Sequence, residues 1–284
     1  VRSSAASDVY KRQEYINGID LDGNNIHLDN EDGLLSSGTP QIQNTWMDAK
    51  IGNIVVTPRN GKAIEINALW YNALKIMESF ANLYKEKELS KKYAELAKKC
   101  KESFIKKFYN KKRKCFDDLV DDNSIRPNQL FAIGLHYPVV EPNSVEAKTA
   151  FETVTKKLLT PYGLKTLAKG EKCYREIYEG DQIKRDMSYH QGITWPWLLG
   201  IYSDSFLNII SAEKNKTKKK ELEEQYSKFA QNVEDTFYNE MYNRSTVGSI
   251  SELYDSAKPY EAKGAFAQAW SVAEVFRIIE KRNK

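Results

Sequence analysis

Residues 44–74 read NTWMDAKIGNIVVTPRNGKAIEINALWYNAL, a stretch that mixes aromatic, charged and amide side chains. A segment of pure core would be apolar, and a solvated surface would carry few tryptophans. The stretch therefore indicates a pocket that stacks on a flat ligand and forms hydrogen bonds at its rim. The side chains that carry this interpretation are Trp46, Asp48, Lys50, Arg59, Glu65, Asn67, Trp70 and Tyr71.

The second half of this stretch begins an amphipathic helix. From Lys62 onward apolar residues recur every three or four positions, the spacing of one helix face. The same spacing predicts further helices at 90–110, 127–137, 143–159, 191–211, 219–241 and 263–282. Long loops that carry Gly, Pro, Asp and Tyr separate them, and such loops are usually functional. The sequence therefore predicts helices in series, with the chemistry on loops and helix ends.

Composition limits the class of protein. The 284 residues have 41% hydrophobic and 29% charged content, typical of a globular chain, and no composition break marks a linker. A net charge of 43 − 39 = +4 is too small to indicate a nucleic-acid partner. No apolar run approaches the ~18 residues of a membrane span. We expect neither nucleic-acid nor membrane binding.

The chain also lacks the usual signatures of bound cofactors. Three cysteines without a CxxC pair predict neither a disulfide framework nor a zinc site, and they favour a reducing cytoplasm. No GxGxxG, P-loop, HExxH or GxSxG pattern is present, so we expect no cofactor and no metal. Residues 1–13 lack a starting Met and any structural pattern; we interpret them as a non-native tract and 14–284 as one catalytic domain.

The segment TWMDAK, residues 45–50, offers a first carboxyl group. A Trp two residues before an Asp can wall a pocket that desolvates the carboxyl, as a general acid near neutral pH requires. The alternative is that Asp48 caps a helix and Trp46 only packs. The residues alone leave both open.

A second carboxyl group lies in GSISELYD, residues 248–255. Glu252 stands on a Gly/Ser-rich loop shortly before the last predicted helix, where an ionised carboxylate can activate a water. The alternative is an ordinary exposed Glu. Glu65 is a third candidate, although a buried partner for a Lys or Arg fits it equally well.

Two other segments suit a sugar. MSYHQGITWPWLLG, residues 187–200, places rings and an amide at one helix end, and indoles have flat apolar faces with a polar handle. RPNQLFA, residues 126–132, places two amides at a helix start, where they read hydroxyls or cap the backbone. A core position is the alternative for the histidine, and capping for the first amide. The binding candidates are Asn128, Gln129, His190, Gln191, Trp195 and Trp197.

These segments, in this order, resemble the C-terminal catalytic domain of glycogen debranching enzymes, the amylo-α-1,6-glucosidase part. The resemblance covers roughly 14–284 and is carried by DGLLSSG, TWMDAKIGNIVVTPRNGKAIEINALWYNAL, RPNQLFAIGL, YGLKTLA, MSYHQGITWPWLLG, SELYD and AQAWSVAEVFRII. It implies an all-α fold, an (α/α)6 toroid of helical hairpins with long loops forming the pocket. Because fewer helices are present than the twelve of a closed toroid, we expect a fragment that is incomplete at its N-terminal side.

The resemblance also implies a reaction. Such domains hydrolyse α-1,6-linked glucose at branch points of glycogen by an inverting mechanism with two carboxyl groups. Carried over, the Asp of TWMDA is the general acid, here Asp48, and the Glu of SELYD is the general base, here Glu252. We expect the acid to be the more desolvated of the two. The expected partner is glycogen or a branched α-glucan oligosaccharide.

Two other functions stay open at this point. A glycoside phosphorylase on the same scaffold would replace the base by an anion pocket, which the intact SELYD loop disfavours. A non-catalytic glycan-binding fragment would retain glycogen without releasing glucose.

Overall fold

The computed structural model describes residues 23–244 and 247–282, so the tract 1–13 lies outside the described residues. Within these residues the helices are α1 (Ile64–Leu83), α2 (Lys87–Phe108), α3 (Phe131–Gly134), α4 (Val145–Leu158), α5 (Gln182–Asp186), α6 (Leu198–Ala212), α7 (Lys216–Asn243) and α8 (Ala269–Arg282). A 3-10 turn, Pro127–Leu130, leads into α3.

Short strands connect the helices. They are β1 (His27–Leu28), β2 (Leu35–Ser36), β3 (Lys50–Ile51), β4 (Ile54–Val55), β5 (Tyr109–Asn110), β6 (Cys115–Phe116), β7 (Leu159–Thr160), β8 (Gly163–Lys165), β9 (Thr194–Trp195), β10 (Leu253–Tyr254) and β11 (Ala262–Lys263). The first six form three two-stranded antiparallel hairpins. The last five form one sheet in the order β11-β10-β9-β8-β7.

This five-stranded antiparallel sheet overturns the all-α fold class, so the expected (α/α)6 toroid was wrong. The strands escaped the sequence because each is only two or three residues long. An alternation of apolar and polar residues needs at least four positions to be visible. The sheet is also assembled from segments far apart in the chain, which no local pattern reports.

The register of this sheet aligns two site segments. Trp195 pairs with Leu164 of β8, and Thr194 pairs with Tyr254 of β10. Glu252 comes immediately before β10. The sheet therefore brings the Glu252 loop beside the TWPW segment, although the two are distant in the sequence.

Two predicted helices begin later than expected because their first residues belong to the sheet. The helix predicted at 191–211 begins at Leu198, since Thr194 and Trp195 form β9. The helix predicted at 263–282 begins at Ala269 after the strand Ala262–Lys263. Backbone amides that the prediction gave to helix turns are thus used in strand pairing.

α1 and α2 form a helical hairpin around a three-residue turn. α1 buries Ile64, Ala68 and Leu74 on one face, and the buried side chains of α2 include Phe104 and Phe108. The periodicity of both helices was visible in the sequence because most of their stability comes from this apolar face. The predicted start near Lys62 and the predicted range 90–110 match these helices to within a few residues.

α6 lies at the centre of the helical layer and packs against α3, α4, α7 and α8. Its buried residues include Leu198, Leu199 and Ile201. Burial of each such aliphatic side chain stabilises the fold by about 1.5–3 kcal/mol. Gly134 permits the close approach of α3, because a Cβ there would lie 2.9 Å from the carbonyl oxygen of Ile201.

Across the described residues, no helix is long and apolar enough to cross a membrane. The three cysteines are free thiols: Cys100 and Cys115 are buried, and Cys173 is exposed. Burial raises the pKa of the Cys100 thiol to about 12 and that of Cys115 to about 11. These two buried thiols therefore act as small core side chains.

We expect Gly163→Ala to destabilise the fold through the sheet. Gly163 has φ +147°, and a Cβ there would lie 2.3 Å from the Trp195 carbonyl oxygen, so the β8–β9 pairing must shift. Chemical denaturation should show a loss of at least about 2 kcal/mol. Gly170→Ala is the matched control: Gly170 has φ +96° but no atom within 4 Å of the added Cβ. Equal losses in both variants would contradict the packing argument.

Candidate functional site

Trp46 is fixed in place by a buried amide. Its indole Nε1 donates to Oδ1 of Asn128 at 2.8 Å, and Nδ2 of the same amide donates to Oδ1 of Asp118 at 2.8 Å. Asn128 is fully buried, so its amide is committed on both sides. Asn128 therefore orients the indole that stands two residues before Asp48.

A buried charge network, which we define as Arg59, Glu65, Asp118 and Arg126, lies behind this segment. Arg59 Nε donates to Oδ2 of Asp118 at 2.7 Å, and its Nη1 and Nη2 donate to the two oxygens of Glu65. Burial alone lowers the pKa of Arg59, but the two carboxylates outweigh it and hold that pKa above its ordinary value. Arg59 and Glu65 are thus partners of each other, the alternative that the sequence left open for Glu65.

Arg126 connects the network to the second half of the site. Its Nη1 donates to the carbonyl oxygens of His190 at 2.7 Å and Thr166 at 3.0 Å. Its Nη2 donates to Oε1 of Gln191 at 3.1 Å, and the Gln191 amide in turn donates to the Val56 carbonyl at 3.0 Å. The network therefore holds the loop before β9 against the loop after β4. Gln191, a predicted sugar contact, instead forms hydrogen bonds that link these two loops.

Seven rings form what we call the aromatic cluster: Trp46, Tyr178, Tyr189, His190, Trp195, Trp197 and Trp270. Trp46 meets the rings of His190 and Trp197 edge-on at centroid distances of 5.2 and 5.0 Å. Trp270 stacks on Trp197 at 5.0 Å. Such aromatic pairs add roughly 0.5–1.5 kcal/mol each beyond their burial.

Exposure divides the tryptophans of this cluster. Trp195 is sealed in the core and donates from Nε1 to the Tyr189 carbonyl at 3.1 Å. Trp46 and Trp197 are half-buried, and Trp270 is 37% exposed. The indole rings of the cluster that are available to a ligand are therefore Trp46, Trp197 and Trp270.

Glu252 is held at both carboxylate oxygens. Its Oε1 accepts from the Tyr189 hydroxyl, and its Oε2 accepts from the backbone N–H of Ala265 at 2.9 Å. Gly264 has φ +70°, and a Cβ there would lie 2.4 Å from Oε2 of Glu252, so only glycine leaves room for the carboxylate. Glu252 also borders an open groove with Arg185.

Tyr189 relates the two candidate carboxylates to each other. Burial, the hydrogen bond to Glu252 and the negative charges of Glu252 and Asp48 together raise the pKa of the Tyr189 phenol. Trp46, two residues before Asp48, meets the ring of His190, and the neighbouring Tyr189 donates to Glu252, so the segments that carry the two carboxylates meet in the aromatic cluster. The short helix α5 packs near β3, which begins two residues after Asp48.

The relative exposure of the two carboxylates is the reverse of the expected order. Asp48 is exposed, whereas Glu252 is half-buried. The expectation that the acid is the more desolvated group was therefore wrong. The reason is local: Thr45 and Met47 turn inward, so the intervening chain presents Asp48 to solvent.

His190 is neutral within this cluster. Burial and the charges of Arg126 and Arg59 lower its pKa from 6.5 to about 3. Its Nδ1 is buried without a hydrogen-bond partner among the described residues. The core position that the sequence left open for His190 fits this environment.

Three predicted contacts in α1 lie elsewhere. Asn67 accepts from the Leu35 N–H at 2.7 Å and donates to its carbonyl at 3.0 Å, and Trp70 donates to the Gly33 carbonyl at 3.2 Å. Tyr71 is 8% exposed and lies in the core. Asn67 and Trp70 thus join α1 to the β1–β2 hairpin rather than to the aromatic cluster, and the Tyr71 ring lies 6.0 Å from Nζ of Lys101 on α2.

Two further predicted contacts also use their polar atoms internally. Lys50 is exposed on β3 and donates to the Gln41 carbonyl at 2.7 Å. Gln129 is buried, accepts from the Phe116 N–H at 3.2 Å and donates to the Arg126 carbonyl at 2.9 Å. In the part of the chain that the structure describes, no group of three or more His, Cys, Asp or Glu is arranged to hold a metal ion.

Sequence reasoning missed Asp118, Arg126, Tyr178 and Trp270. Trp270 had a usable signal, since AQAWSVAEVFRII was among the segments that carried the resemblance. Arg126 stands in RPNQLFA, but a charged residue is rarely buried, so its position in the sequence did not indicate its role. Asp118 and Tyr178 have no local signal, because their role depends on contacts with distant segments.

Comparison with known proteins places this arrangement in a class. The sequence matches the family described as amylo-alpha-1,6-glucosidase over residues 6–277. The glycogen debranching enzyme of Saccharomyces cerevisiae is 28% identical over a match that covers 64% of this chain and 15% of that protein. The chain thus spans a small part of this curated relative.

A solved structure named sialidase shares the fold. The superposition has a TM-score of 0.60 with 15% identity, and it covers 93% of this chain and 22% of that one. At this identity the likeness shows the fold alone. The chain belongs to the amylo-alpha-1,6-glucosidase family, as the segments around Asp48 and Glu252 indicated.

We expect His190 to make stability depend on pH. When the pKa of a group is lower in the folded state than in the unfolded state, its protonation favours unfolding. For His190 this effect begins as the pH falls below the unfolded pKa of about 6.5. His190 should therefore cost about 2 kcal/mol of stability between pH 7 and pH 5. Urea unfolding at both pH values should show that His190→Gln removes this loss.

His136→Gln is the matched control, because His136 is exposed. This variant should keep the pH dependence of the original protein. If His190→Gln and His136→Gln depend on pH alike, His190 is not the group responsible.

Proposed function

We propose that this site hydrolyses α-1,6-linked glucose at branch points of glycogen or a related α-glucan. The observation that carries the proposal is the aromatic cluster, in which Trp46, two residues before Asp48, meets His190, and the neighbouring Tyr189 donates to Glu252. Family membership supports the reaction class, and the name of the yeast relative supports the substrate. No metal or organic cofactor takes part in this proposal.

The two carboxylates have different tasks. Asp48 donates its proton to the glycosidic oxygen as the C1–O bond breaks, and the chain leaves with a hydroxyl group. Glu252 accepts a proton from a water whose oxygen attacks C1 from the opposite face, which inverts the anomeric configuration. Asp48 loses one proton and Glu252 gains one, so the number of protons on the protein is unchanged after one turnover. An inverting pair requires a separation of roughly 6.5–9.5 Å for the water.

In this mechanism the exposed carboxyl group of Asp48 loses water when the substrate binds. A glucose seated on the half-buried face of Trp46 would cover the carboxyl two residues further along the chain. Removal of water favours the protonated form of a carboxyl group, which is the form that a general acid needs. In this proposal the bound substrate, rather than the empty pocket, prepares the acid.

The available rings suit a sugar. Trp46, Trp197 and Trp270 offer partly exposed indole faces in contact with one another. Flat apolar faces of this kind pack against the C–H face of a pyranose. A glycogen substrate also fits a cytoplasmic location, which stays a prediction.

The test is the release of glucose from a branched limit dextrin by the full-length protein. We expect Asp48→Asn and Glu252→Gln each to reduce the rate by about 10²–10⁴-fold, the range of acid–base catalysis. Retention of glycogen in a native gel should be unchanged, because neither variant removes an indole. Asp121→Asn, which alters an exposed carboxylate away from the aromatic cluster, is the matched control and should keep full activity.

Full glucose release by either variant would contradict the proposed roles. Retention of glycogen without any release by the unaltered protein would indicate a glycan-binding module instead. Formation of glucose 1-phosphate only when phosphate is added would indicate a phosphorylase.

A further inference from the structure

Both oxygens of Glu252 are held by donors from different segments. The Tyr189 hydroxyl donates to Oε1, and the Ala265 N–H donates to Oε2 at 2.9 Å. A carboxylate has about four acceptor positions, so two remain for a water. The two fixed donors define the plane of the carboxylate and hence the direction of the remaining lone pairs.

The Tyr189 ring is itself immobilised. It meets Trp195 edge-on at 4.9 Å, and it lies 4.7 Å from the His190 ring and 5.7 Å from the Tyr178 ring. The Trp195 indole also donates to the backbone carbonyl of Tyr189 at 3.1 Å. Packing on three sides fixes the direction in which the phenol points.

Tyr189 is a permanent donor. Burial, the hydrogen bond to Glu252 and the charges of Glu252 and Asp48 raise the pKa of the phenol above its ordinary value of about 10. The hydroxyl therefore keeps its proton throughout the neutral range. It neither gives a proton to the substrate nor takes one from water.

We propose that Tyr189 is a positioning residue, which aims the Glu252 carboxylate at the attacking water. This inference rests on the proposed function, because it presupposes that Glu252 is the base. The hydroxyl is the group that matters: the ring alone supplies the packing, and only the O–H reaches Glu252. A purely structural role would need the ring and not the hydroxyl.

The first test is Tyr189→Phe in the full-length protein. Loss of the hydroxyl frees one carboxylate oxygen, and misdirection of a reacting group costs about 10–100-fold in kcat. KM should change little, because no sugar contact is removed. The acidic limb of the pH–rate profile should move to higher pH, since the ionised carboxylate loses a donor.

Tyr202→Phe is the matched control. Tyr202 is a buried tyrosine of α6 whose hydroxyl lies 3.0 Å from Oγ1 of Thr155, outside the aromatic cluster. This variant loses one buried hydroxyl contact but should keep the original kcat and pH profile. Melting temperatures of both variants show whether they fold equally well.

A second variant covers the case in which Tyr189→Phe folds poorly. Replacement of Tyr189 by 3-fluorotyrosine keeps the ring and the hydroxyl but makes the hydroxyl a stronger donor. The acidic limb should then move to lower pH, opposite to the shift in Tyr189→Phe. An unmoved limb in the fluorinated protein would overturn the positioning role.

The double variant Tyr189→Phe/Glu252→Gln separates this inference from the proposed function. If Tyr189 acts through Glu252, the double variant should be no slower than Glu252→Gln alone. If Glu252→Gln is inactive while Tyr189→Phe behaves like Tyr202→Phe, only the positioning role fails. If Glu252→Gln keeps full turnover, the proposed role of Glu252 as the base fails, and the positioning role fails with it.

Discussion

The guanidinium of Arg59 lies between the carboxylates of Glu65 and Asp118, and water is excluded from all three side chains. These charges are stable there only together, because an unpaired buried charge costs about 3–5 kcal/mol. The three residues come from the loop after β4, from the start of α1 and from the segment after β6. Because each charge needs the others, these three segments are held in fixed positions relative to one another.

The site extends outward from this network in two directions. Asn128 forms hydrogen bonds with both Asp118 and the Trp46 indole, so the position of the indole depends on Asp118. Asp48 lies two residues after Trp46. Arg126 holds the loop that carries Tyr189, while the five-stranded sheet brings the Glu252 loop beside it. The segments that carry the two candidate carboxylates thus meet in the aromatic cluster, where Trp46 and Tyr189 both contact the ring of His190. Most polar residues predicted to touch the ligand instead form internal hydrogen bonds that hold these segments together.

The sequence predicted what depends on local pattern. α1 and α2 followed from apolar periodicity, and family membership followed from the segments that carried the resemblance, while the roles of Asp48 and Glu252 stay predictions. It failed where the outcome depends on distant partners: two-residue strands carry no alternation, and Trp70 looks like a sugar platform until its bond to Gly33 is known. Exposure of Asp48 likewise follows from packing of its neighbours, which spacing does not reveal.

The central claim is that Asp48 and Glu252, which lie on separate segments, act on opposite faces of one glucose. Proton NMR of the glucose first released from a branched limit dextrin tests it most directly, within minutes and before mutarotation mixes the anomers. The account predicts the β-anomer, because water activated by Glu252 attacks opposite the leaving oxygen. An initial α-anomer would mean retention of configuration and would contradict a water-activating role for Glu252.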